Sequence, residues 1–142
     1  MRRFTRRSGK RTRGQSLVEF ALALPIFLLV VFGLIDLGRA VYVNNSLAEA
    51  ARDGARYGSV QARAWNDSRR TDVETWILDR LDAVPAPTAT VECETANAGL
   101  GCTVEDILTV TVTSDVEMIT PIIGQILGPL SLEGRSQAIV QN

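Results

Sequence analysis

Residues 20–35 (FALALPIFLLVVFGLI) carry no charge, and no other part of the chain limits its fold so strongly. As a helix this run rises about 24 Å. A hydrocarbon core of ~30 Å asks for about 20 apolar residues. Adding Leu17, Val18 and Leu37 reaches that length, with Glu19 and Asp36 standing at the two ends. The run therefore reads as a single membrane span over residues 15–38. A carboxylate at the mouth of such a span is costly and reads as functional, so Glu19 is the first candidate site residue.

Charge divides the chain at the same place. Seven of its 15 basic residues lie before Gly14 (Arg2, Arg3, Arg6, Arg7, Lys10, Arg11 and Arg13), against none of its 16 acidic ones. Beyond Gly14 this leaves 8 basic residues against 16 acidic, a net of −8. A basic head of residues 1–14 suits an anionic cytoplasmic membrane surface, and the excess of arginine before the span keeps that end inside. Residues 39–142 then form an extracytoplasmic domain. An acidic body argues against nucleic acid as a partner.

The composition also excludes chemistry. The chain has no histidine, which removes the commonest general base and the commonest metal ligand. We find no nucleophile–base pair, phosphate-binding loop or metal cluster, and expect no enzyme, cofactor, metal or small-molecule substrate. The acidic residues Glu92, Glu94, Glu105 and Asp106 lack EF-hand spacing and read as a solvated face. Cys93 and Cys102 are the only cysteines. Outside the cytoplasm they suit a disulfide closing a short loop, the alternative being two free thiols.

Three readings compete for residues 1–38. A secretory signal wants a small-residue cleavage site after the apolar run, and Asp36-Leu37-Gly38-Arg39-Ala40-Val41-Tyr42-Val43 offers none. A plain anchor accounts for the span and the arginines but leaves Gly14 and Glu19 without a role. A prepilin-type signal, cut before the apolar run, accounts for all of them. Four separated motifs, Gly14-Gln15-Ser16-Leu17-Val18-Glu19-Phe20, Leu24-Pro25, Gly33-Leu34-Ile35-Asp36-Leu37-Gly38-Arg39-Ala40 and Ala50-Ala51-Arg52-Asp53-Gly54-Ala55-Arg56-Tyr57, occur in order. Over about residues 13–58 the chain resembles the TadE-like proteins, pseudopilin-like components of the tight-adherence (Tad/Flp) pilus machinery.

That resemblance implies a structural role in assembling or anchoring such a pilus. It implies cleavage between Gly14 and Gln15 by a membrane prepilin peptidase. It makes Glu19 and Phe20 a subunit contact, with Glu19 neutralising the terminal amine of a neighbouring pilin-like subunit. The expected partners are the membrane, the peptidase, other pilin-like subunits and Tad assembly proteins. The alternative is an uncleaved single-pass anchor presenting an extracytoplasmic binding domain.

Periodicity supplies the rest of the fold, which reads as α+β. Ala40, Val43, Leu47, Ala51, Gly54 and Gly58 form one helical stripe of mostly small residues. The stem helix 39–58 can lay this stripe on the protein's own sheet or on other pilin-like helices. Residues 65–68 read as a loop, and Thr71-Asp72-Val73-Glu74 as a capping box opening a second helix to about Ala83. Alternation then marks strands over 88–94, 108–113 and 132–140, for a small antiparallel sheet of three or four strands. Ile119, Ile122, Ile123, Ile126, Leu127 and Leu130, partly on a short helix over 122–127, read either as a lid on the sheet or as an exposed apolar contact for an assembly protein or the membrane surface.

Overall fold

The computed structural model describes residues 13–61, 66–94, 102–120, 124–125 and 128–141. Two helices are followed by three strands: α1 (Arg13–Gln61), α2 (Asp67–Leu78), β1 (Thr88–Glu94), β2 (Ile107–Val116) and β3 (Leu130–Ile139). The strands form one antiparallel sheet in the order β1-β2-β3. The expected α+β architecture, with one long N-terminal helix, a short helix and a small antiparallel sheet, is what the chain adopts.

α1 has 49 residues and runs through Pro25 unbroken, a length of about 74 Å. It divides into two parts by environment. From Gly14 to Ile35 no residue is buried, and Leu17 and Ile26 stand 70% and 69% exposed. A helix apolar on all sides, and left uncovered by the described residues, is long and apolar enough to cross a membrane. From Asp36 onward one face is covered. Val43, Leu47, Ala51, Gly54 and Gly58 are buried, so the small-residue stripe packs on the protein's own sheet.

The strands repeat the alternation read from the sequence. Leu108, Val110, Val112, Ser114 and Val116 of β2 point to the helices and are buried, while Thr111, Thr113 and Asp115 lie on the other face. Ala89, Val91 and Cys93 share the inner face of β1, as do Leu132, Gly134, Ser136 and Ala138 on β3. α2 covers β1 with Val73 and Ile77, and its Glu74 Oε1 accepts the Val91 backbone N–H.

Glycine lets helix and sheet approach. A Cβ on Gly134 would lie 2.5 Å from the carbonyl carbon and oxygen of Leu47 and 2.7 Å from the Ala48 nitrogen. On the helix side, a Cβ on Gly54 would meet Ile77 Cδ1, and one on Gly58 would meet Leu108 Cδ2, each at 2.5 Å. The central strands can therefore sit directly on the α1 backbone.

α2 departs from its sequence reading at both ends. It begins at Asp67, not Thr71. Asn66 is the N-cap, its side-chain oxygen accepting the Arg69 N–H at 2.9 Å, a role that asparagine fills as well as serine or threonine. Thr71 lies inside the helix, where its carbonyl accepts the Thr75 hydroxyl at 2.8 Å. At the other end α2 stops at Leu78. The chain continues in tight turns, with Leu81 N–H donating to Leu78 O and Val84 N–H to Leu81 O. Leu81 and Val84 stay buried, which is why their spacing looked helical. The 95–101 loop, Trp65, and Ile122, Ile123, Ile126 and Leu127 lie outside the described residues.

The Gly134 contact has a measurable consequence. Gly134→Ala forces a methyl group against rigid helix backbone and should destabilise the detergent-solubilised protein by about 1–3 kcal/mol, as overpacking does. Gly33→Ala, where a Cβ meets nothing within 4 Å, should leave its thermal unfolding unchanged.

Candidate functional site

The features that could carry function lie along α1, and they depend on which parts of it the sheet leaves free. At the N-terminal end, Gly14 and Gln15 are already helical and exposed. A Cβ on Gly14 would meet nothing within 4 Å, so no packing among the described residues requires a glycine there. Gln15 and Glu19 share a helix face, one turn apart, and Gln15 Nε2 donates to Glu19 Oε1 at 3.3 Å. Glu19 and Phe20 are both exposed. The structure thus brings Gln15 and Glu19 together and leaves Phe20 open beside them, far from the sheet.

Asp36, at the other end of the apolar run, has the opposite environment. It is 6% exposed, the first buried residue along the helix. One carboxylate oxygen accepts the Ile119 backbone N–H at 2.9 Å. The other accepts the Thr120 backbone N–H at 2.9 Å and the Thr120 hydroxyl at 2.6 Å. Three donors on two successive residues after β2 therefore converge on one side chain. Arg39, three residues on, donates from Nη1 to the Glu117 carbonyl at 3.3 Å. Together these bonds clamp the segment after β2 to α1 at the point where the helix leaves its all-apolar stretch.

In sequence Asp36 marked only the boundary of the span. Its structural role was not read there, because its partners lie 83 and 84 residues away and Thr120 carries no motif. The available signal was weak: an aspartate directly abutting an apolar run, and a threonine before Pro121 whose hydroxyl and amide can both reach one acceptor.

The distal end is held differently. Cys93 and Cys102 are joined in a disulfide, with Cα atoms 5.8 Å apart. Asp106 lies near both sulfurs, but bonded sulfurs are not thiolate ligands, and Asp106 Oδ2 accepts both the backbone N–H and the hydroxyl of Thr103. The Gln141 N–H donates to the Ser59 carbonyl, tying the end of β3 to the end of α1. On the α1–α2 surface Tyr57 stacks on Trp76, with ring centroids 4.4 Å apart, and the Arg80 guanidinium lies 3.5 Å from the Trp76 ring centre. Trp76 is a half-buried member of this stack.

Residues 14–56 match the family model described as TadE-like protein. The matched stretch holds Gly14, Gln15, Glu19, Phe20 and Asp36, and it agrees with the resemblance drawn from the four motifs. The matched stretch lies within the long apolar N-terminal helix, which is compatible with membrane anchoring. Neither the curated proteins nor the solved structures yield a match.

Two outcomes test these assignments. Asp36→Ala should open the 117–120 segment to proteolysis in the folded protein, and Asp36→Asn, which keeps one acceptor oxygen, should fall between it and the parent chain. Cleavage rates measured on the intact protein in detergent check the order. Reducing the Cys93–Cys102 bridge, whose cysteines are separated by 9 in sequence, should cost about 2–3 kcal/mol of stability by loop closure, read from chemical unfolding with and without reductant.

Proposed function

We propose that this chain is a TadE-like pseudopilin or minor pilin that takes part in assembling or anchoring a tight-adherence pilus. It is inserted once in the cytoplasmic membrane, with residues 1–14 inside and the α+β head outside. A prepilin peptidase cuts between Gly14 and Gln15, and Glu19 becomes the fifth residue of the mature chain.

The observation that carries this reading is the contrast between the two carboxylates bounding the apolar run. Asp36 receives three hydrogen bonds from its own chain. Among the described residues Glu19 receives one, from the exposed side chain of Gln15. A carboxylate entering a membrane needs a compensating charge or donors. Cleavage after Gly14 supplies a new ammonium group on Gln15, in this chain and in each neighbour. Two opposite charges that are separately costly in lipid lose much of that cost when paired. The role of Gly14 is supported in the same way, since no contact among the described residues calls for a glycine there.

The span itself suits assembly. Gly33 and Gly38 have no neighbour that a Cβ would touch, so they remain available for close approach by another helix. The stem stripe, by contrast, is consumed by the sheet. Contacts with other pilin-like subunits and Tad assembly proteins therefore fall to the exposed first half of α1, with Phe20 beside Glu19.

Sequencing the N-terminus of the membrane-extracted protein tests processing. A chain beginning at Gln15 is expected where prepilin peptidase is present, and a chain beginning at Met1 where it is deleted. Identical masses starting at Met1 in both would show an uncleaved anchor. Glu19→Ala should abolish co-purification with pilin-like subunits while leaving membrane localisation and the unfolding of the head unchanged.

A further inference from the structure

The small-residue stripe of the stem is spent on the sheet, but the opposite face of the stem is not. Glu49, Arg52, Asp53 and Arg56 are all exposed there, across the helix from the buried Leu47, Ala51 and Gly54. Each acid precedes a base by three residues. That spacing allows ion pairs within a helix, yet none of the four is in a hydrogen bond or ion pair with another described residue. Successive residues stand about 100° apart round a helix. Arg52 and Arg56 therefore lie toward one flank of this face, and Glu49 and Asp53 toward the other. On the acidic flank the two carboxylates line a recess of about 370 Å³ with Tyr42, Ser46, Leu81 and Arg80. Arg80 is engaged elsewhere: its guanidinium lies over the Trp76 ring and Nη1 donates to the Trp76 carbonyl at 3.1 Å.

We propose that Arg52 and Arg56 of one copy of this chain seat against Glu49 and Asp53 of a second copy, the two stems lying parallel and staggered by about four residues. This rests on the reading that Glu19 meets the terminal amine of a neighbour. Two copies that cross one bilayer have parallel helices, and in register their like charges would stand level. A stagger of four residues, about 6 Å, brings Glu19 of the first copy level with Gln15 of the second. The second copy is then displaced toward the head end of the helix. Its Glu49 comes level with Asp53 of the first copy and its Asp53 level with Tyr57. Arg52 and Arg56 of the first copy each lie about 1.5 Å from those heights, on the flank away from the first copy's own acids. The opposite displacement would bring Glu49 of the second copy level with Asn45, about 10 Å from Arg52. One stagger in one direction therefore matches charge at the start of the span and again along the stem. This agreement selects a second copy as the occupant. Arginine suits the contact, because its planar fork pairs with carboxylates at good geometry. The acids of the first copy and the arginines of the second are left to repeat it, so the contact is head-to-tail and continues from copy to copy.

The test uses full-length chains carrying two different C-terminal tags, co-expressed with prepilin peptidase and extracted from membranes in mild detergent. Capture of one tag should bring down the other for the parent pair. A chain carrying Glu49→Arg and Asp53→Arg should lose its association with itself by about tenfold or more, as should a chain carrying Arg52→Glu and Arg56→Glu, because like charges then face one another. Mixing the two variants should restore association, since each supplies the charge that the other lacks. Thermal unfolding of each variant checks that the head is intact. Where a reversed chain does not fold, Glu49→Gln with Asp53→Asn takes its place and should remove the salt dependence of the parent association. Self-association of both folded variants at the parent level, or no recovery in the mixture, overturns the stem contact. If Glu19→Ala still abolishes association in that case, the reading of Glu19 stands without it. Glu19→Ala with no effect overturns that reading and the stagger drawn from it. Parent copies that do not co-purify, while a different pilin-like subunit is captured through the two arginines, overturn the second copy as the occupant.

Discussion

The carboxylate of Asp36 is the interaction on which the arrangement depends. α1 must satisfy two surroundings with one continuous backbone: an apolar one along its first half and the protein's own sheet along its second. Nothing in helix geometry fixes where the first gives way to the second. Asp36 fixes it, because its two oxygens take up the amides of Ile119 and Thr120 and the hydroxyl of Thr120. The sheet can slide no further along the helix without stranding those donors and a buried carboxylate together. Register follows from there. With β2 ending at Val116, close to this anchor, Gly134 falls against Leu47 and the end of β3 reaches Ser59.

That register explains why the stem is built from small residues. Gly54 and Gly58 on the helix, and Gly134 on the sheet, all stand where a Cβ would collide. Close packing of this kind gains dispersion contacts and burial at both surfaces. It also uses up the small-residue face. A stripe of Ala and Gly on a pilin-like helix invites the idea of subunit packing, but here the chain's own core occupies it. The faces left for other molecules are the apolar first half of α1, the exposed face opposite the sheet, and the Tyr57–Trp76–Arg80 surface.

Much of this was legible in the sequence because it is local. Alternation placed β1 at 88–94 and put Val91 on the inner face. The spacing of Val43, Leu47, Ala51, Gly54 and Gly58 named the buried side of the stem. The run 20–35 announced its own all-round exposure. What was missed depends on contact between distant residues or on competition between equivalent local signals. Asn66 and Thr71 both precede plausible helical turns, and it is Asn66 whose side chain takes up the Arg69 N–H and opens the helix. Leu81 and Val84 keep a helical spacing through turns that are not α-helical. Asp36 could not be told from Glu19 by sequence, since each is a carboxylate abutting the same apolar run.

The structure separates those two acids, and their difference bears on function more than either does alone. A chain that ends an apolar run with a carboxylate must compensate it. At Asp36 the compensation is internal and comes with the fold. At Glu19 the described residues offer one side-chain amide, from Gln15, and the sheet is far away along the helix. On the proposed function the remaining compensation comes from outside the head, and water at the membrane edge, a terminal amine created next to it and a neighbouring subunit are the sources to weigh. Of these, water leaves the glutamate at the edge with nothing to do, whereas an amine on Gln15 and its counterparts in neighbours gives it a partner of opposite charge in a medium where that pairing is strong. On the proposed function, Glu19, to which the described residues offer this single donor, is the carboxylate that joins this chain to another.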